Sequence, residues 1–180
     1  MASESSARPG LADLQRLLQR AKVVKELMPT RAKPPDEGLP SETEQVLAAS
    51  ITRGTRGYIE RIVTQINGSY EHGWFDACAV MMRRLLETAI IEVFESKGLA
   101  SRIKGQSGDF LYLSELVDAA LNETSWNLGR NTKRALKELK AVGDRSAHSR
   151  RFIAHRQDID RVIPLLRDAI QELVYLAGLK

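Results

Sequence analysis

The sequence predicts an all-α protein. Two observations carry that reading. Apolar residues recur at three- and four-residue spacings in one segment after another, and no segment alternates with the period of two that a half-buried strand requires. No tandem repeat is present. With 180 residues the chain is long enough for one domain with a substantial core plus an appendage.

Residues 1–10 hold three serines, a proline and a glycine and are expected to form a disordered tail. From 11 to 28, Leu14, Leu17, Leu18, Ala21, Val24, Leu27 and Met28 form one stripe with Gln15, Arg16, Arg20 and Lys25 off it, an amphipathic helix. Pro29, Pro34, Pro35, Gly38 and Pro40 make the following stretch a semi-extended linker, so that residues 11–40 form a tethered helix and residues 41–180 the main domain. The tethered helix either folds back over the core or docks on a partner protein.

Ser41 and Glu44 have capping-box spacing, which starts a helix whose stripe is Val46, Leu47, Ile51, Tyr58, Ile59, Ile62 and Ile66. Gly54 and Gly57 predict a break near 53–57, and Asn67-Gly68 predicts a turn running to His72. The next helix, from about Gly73 to Gly98, is apolar over more than one stripe and must be central, with Arg83 and Glu87 spaced to pair along it. A polar loop at 101–109 and a short helix at about 113–121 follow. A basic helix then begins near Leu128 or Asn131, with Ala135, Leu136, Leu139 and Val142 inward and Lys133, Lys137 and Lys140 outward. Gly143 inside that helix implies that a backbone or a ligand approaches it closely. A final amphipathic helix starts at about Asp158, with Pro164 forcing a kink or a start nearer 161.

Composition excludes several classes. No apolar run approaches the roughly 20 residues of a membrane span, the first residues lack the pattern of a secretory signal, and Cys78 is the only cysteine, so a cytoplasmic protein is expected. Three histidines without metal-ligand spacing predict neither a metal site nor a cofactor. The net charge of +4 is concentrated. Between Arg130 and Arg156 lie nine Lys/Arg against Glu138 and Asp144, a local balance of +7. Within that segment Lys140, Asp144 and His148 share a helix face, and Arg145, Arg150, Arg151 and His155 follow. An imidazole among cations at a helix end suits a phosphate or an acidic partner, and equally describes a solvated helix terminus.

The run Trp74-Phe-Asp-Ala-Cys-Ala-Val-Met-Met-Arg-Arg-Leu-Leu-Glu87, followed by Lys140-Ala-Val-Gly-Asp-Arg-Ser-Ala-His148 and a closing amphipathic helix, resembles a prokaryotic domain-of-unknown-function family of the HEPN superfamily over about residues 41–179. The resemblance implies an antiparallel four- to five-helix bundle that often dimerises, and in many members a metal-independent endoribonuclease acting in defence. Arg83, Glu87 and His148 fall on the family's positions, while Gly143-Asp144 stands where Gly-Asn is usual. The family's catalytic pattern of arginine, four to six residues, then histidine is not intact before His148, since Ala141, Val142 and Gly143 occupy the arginine's places. Arg150 and His155 have that spacing across an apparent helix break.

Three functions follow as expectations. The first is a homodimeric, non-catalytic module that binds RNA, a nucleotide or an acidic partner through Lys137, Lys140, Arg145, Arg150, Arg151 and His155, with Arg83, Glu87 and Asp144 as support. The second is metal-independent cleavage with His148 as acid or base and Arg145, Arg150 or Lys140 stabilising the phosphorane. The third is a structural subunit of a larger assembly.

Overall fold

The computed structural model describes residues 19–20 and 46–180. The chain divides into two units, Met1–Glu37 and Gly38–Lys180, and the architecture below is that of the second. The tail, the helix at 11–28 apart from helical, exposed Gln19 and Arg20, the linker and the capping box at Ser41 lie outside the described residues.

The all-α class is observed: α1 (Ala49–Thr52), α2 (Gly57–Glu71), α3 (Phe75–Ser96), α4 (Leu113–Asn122), α5 (Arg130–His148), α6 (Arg156–Asp160) and α7 (Ile163–Leu176). Among the described residues no strand forms, and an isolated bridge between Lys104 and Phe110 closes the α3–α4 loop. No described helix is long and apolar enough to cross a membrane. The central position expected for α3 is observed. It packs against α2, α4, α5 and α7, and Cys78, Met82, Leu85, Leu86, Ala89, Ile90, Val93 and Phe94 are buried along it. Around them α5 contributes Ala135, Leu136, Leu139 and Val142, and α7 contributes Leu166, Ala169, Ile170 and Leu173. Burial also pushes the Cys78 thiol up to about 12, so it behaves as a small apolar side chain.

Three boundaries differ from the sequence reading. The break at 53–57 is present, with α1 ending at Thr52 and Gly54 at φ 81°, but the turn expected at Asn67 is absent and α2 continues to Glu71. Asn67 is buried, and its side chain bonds outside the helix. Its Oδ1 accepts the backbone N–H of Val46 and of Leu47, each at 3.0 Å, and its Nδ2 donates to the Leu47 carbonyl at 2.8 Å. Those bonds outweigh its weak helix propensity. The loop at 101–109 begins with a 3-10 turn, Ala100–Ile103, because Ile103 is drawn into the core. The last helix is two pieces. Pro164 falls in the first turn of α7, where no intrahelical N–H is required of it, and α6 precedes it as a separate turn.

The bundle has two poles. Gly143, near the end of α5, lies against Arg83, near the start of α3, while Asn131 and Thr132 at the start of α5 bond to Asp168 and Glu172 of α7. Helices α3 and α7 therefore run antiparallel to α5. The ends of α2 and α5 and the starts of α3, α6 and α7 share one pole.

Candidate functional site

At that pole the tightest helix crossing is α3 on α5. A Cβ on Gly143 would stand 2.5 Å from the Cβ of Arg83 and 3.1 Å from its Cγ and Cδ, so the close approach expected at Gly143 comes from the stem of an arginine on the central helix. That crossing places the Arg83 head beside Asp144: Nε donates to Asp144 Oδ1 at 2.9 Å, and a terminal nitrogen reaches Glu87 Oε2 at 3.4 Å. Lys140 Nζ donates to the other Asp144 oxygen at 2.6 Å. Glu87, Arg83, Asp144 and Lys140 thus form a chain of alternating charge, with side chains between 24% and 35% exposed. At Asp144 burial alone would raise the pKa, but the hydrogen bonds and charges of Lys140 and Arg83 outweigh it and hold the carboxyl below its ordinary value.

This chain sums to zero, and it divides the sequence-derived site. Arg83, Glu87, Asp144 and Lys140 are brought together. Lys140, expected outward as an anion contact, is half-buried and committed to Asp144. Lys137, Arg145, Arg150 and Arg151 are exposed, and among the described residues no carboxylate lies within ion-pair distance of any of them. His148 is the last residue of α5 and exposed. It shares the face of Lys140 and Asp144 as expected, yet its imidazole makes no hydrogen bond to Asp144 or to any other described residue. Arg145 instead lies over the Phe152 ring, 4.7 Å from its centroid. Arg150 and His155 lie near opposite ends of the loop between α5 and α6, His155 exposed where its backbone N–H donates to Asp158 at 2.9 Å.

Several residues of this pole carry no motif and were missed in the sequence. Asp76, in the first turn of α3, accepts the Ala154 N–H at 3.0 Å and ties the α5–α6 loop to α3. Arg156 lies over both Tyr70 and Phe75, 4.7 and 5.3 Å from their centroids, and Tyr70 donates to Asp160 at 2.5 Å. Asp76 alone left a trace, as an acid at a helix N-terminus. Ser146 Oγ is buried near this crossing without a hydrogen-bond partner among the described residues. Among those residues no group of three His, Cys, Asp or Glu side chains is placed to hold a metal ion.

The opposite pole carries an open cleft of about 1110 Å³ between α1, the start of α5 and α7. Its polar groups satisfy one another: Glu172 accepts the Gly129 N–H at 2.7 Å and the Thr132 hydroxyl, capping α5, and Asn131 bonds to Asp168. None of the sequence-derived site residues lines it.

The model of a domain of unknown function, DUF4145, matches residues 64–180, which include every sequence-derived site residue named above but not α1. No curated protein and no solved structure matches the chain.

Proposed function

The chain belongs to the DUF4145 family, a domain of unknown function, and from that premise we propose that it is a HEPN-like, homodimeric module that binds RNA through the pole where α5 ends. The observation that carries the reading is the division of the cations. Arg83 and Lys140 are neutralised by Glu87 and Asp144, whereas Lys137, Arg145, Arg150 and Arg151 are exposed and, among the described residues, within ion-pair distance of no carboxylate. A cluster of cations left without internal partners favours a polyanion. The alternating chain of charges then serves to fix the end of α5 against α3, which holds the free cations in register. Exposed Ala77, Val80 and Arg84 on α3 offer a face for a second copy, and the resemblance to the HEPN superfamily points to prokaryotic defence or stress response as the setting.

Binding rather than cleavage is supported by His148. Its imidazole is exposed, and no described side chain within hydrogen-bond distance orients it, whereas a general acid or base needs a fixed tautomer and direction. Titration with a single-stranded RNA oligonucleotide tests the reading. Affinity should fall steeply between about 50 and 200 mM salt, and Arg150→Ala with Arg151→Ala should weaken binding and flatten the salt slope by roughly two phosphate contacts. Undetectable or salt-indifferent binding sinks the proposal. RNA cleavage in EDTA that His148→Ala abolishes and His155→Ala spares would replace binding with catalysis.

A further inference from the structure

Trp74 stands out at the same pole. It is 62% exposed, yet it is held in place. Helix α2 ends in a left-handed Gly73 (φ 73°), whose N–H donates to the Tyr70 carbonyl at 3.1 Å while the Trp74 N–H donates to Ser69 at 2.8 Å, so the corner is hydrogen-bonded residue by residue. His72 Nδ1 donates to the Gly68 carbonyl at 2.7 Å, which anchors the imidazole. The indole stacks on that ring at 4.9 Å and 30°. An exposed tryptophan is unremarkable by itself. One stacked on an anchored ring is already restrained, and a flat partner meets it at a reduced entropic cost.

The surroundings say what that partner is. Two residues beyond Trp74, Asp76 holds Ala154 and so draws the loop of Arg150 and Arg151 to this corner, and Arg156 sits on Phe75 and Tyr70 next to it. A fixed aromatic plane beside cations that have no carboxylate partner among the described residues is the combination that binds a single strand, with base on ring and phosphate on cation.

We infer that Trp74, backed by His72, is a stacking platform for an unpaired base of single-stranded RNA whose backbone lies on Arg150 and Arg151. The inference rests on the RNA-binding reading and adds the substrate class: unpaired strands, read by a base face. In a duplex the bases are stacked on one another and offer no such face.

The test compares a uridine oligonucleotide of about ten residues with an abasic ribose-phosphate chain of equal length. Wild-type protein should bind the oligonucleotide roughly 5- to 150-fold more tightly than the abasic chain. Trp74→Ala should erase that preference without changing abasic affinity, Trp74→Tyr should restore most of it, and Tyr175→Ala, an exposed aromatic on α7, should leave both affinities as they are. Equal affinity of wild type for the two chains overturns the platform while leaving phosphate binding intact, as does a preference that survives Trp74→Ala. Failure to bind either chain overturns the RNA-binding reading itself, and the platform with it.

Discussion

At Gly143 the usual arithmetic of helix propensity reverses. In an exposed helix interior, glycine to alanine gains about 1 kcal/mol. Here the added methyl would meet the Cβ of Arg83 at 2.5 Å, an atom that moves only with the backbone of α3. Gly143→Ala should therefore destabilise the protein by roughly 1–3 kcal/mol in urea unfolding, as overpacking does. Asp144 gives a test in pH. Its folded pKa is held below the unfolded value, so its contribution is full above the ordinary carboxylate range and is lost as pH falls through the folded pKa. The stability gap between wild type and Asp144→Asn should be widest near neutrality and narrow in acid; a gap that widened on acidification would contradict the network. Half of that network was legible in the sequence. Lys140 and Asp144 stand four apart on a helix, as do Arg83 and Glu87, and period alone pairs them. The Arg83–Asp144 bond spans 61 positions. No periodicity predicts a contact between two helices; only the unexplained glycine beside Asp144 hinted that something came close.

Among the elements, α2 shows why boundaries were harder to read than helices. Asn67-Gly68 has the composition of a terminator, and the helix runs through it because Asn67 is the clamp for residues 46 and 47. Local sequence records the propensity but not the buried partner 20 positions away. Asn67→Ala improves helix propensity by well under about 1 kcal/mol, while it leaves buried N–H groups of Val46 and Leu47 without an acceptor, at about 1–3 kcal/mol each. A net loss of stability is expected by thermal melting; a gain would mean that the clamp is ornamental. The stripes of α3, α5 and α7 were read correctly because amphipathic period depends on which residues are apolar, not on what they meet. Trp74 falls within the apolar stretch that the sequence runs from about Gly73, and it is exposed instead, held by the corner before the helix.

For the whole molecule, the prediction concerns copies. A homodimer formed on the exposed α3 face should sediment at twice the monomer mass, and Val80→Glu should return it to monomer without altering the fold. A monomer at every accessible concentration would remove the second copy from the proposal and leave the cation cluster as it is.

Lys180 reaches back across the bundle: its Nζ donates to the Ser50 carbonyl, so α1 and the residues after α7 meet beside the cleft, away from Arg150 and Trp74. A protein attached to a sensor surface through its last residue would stand with its basic tip pointing into the flowing solution. Immobilisation by that route should leave Arg150 and Trp74 at the pole of the helical unit away from the point of attachment.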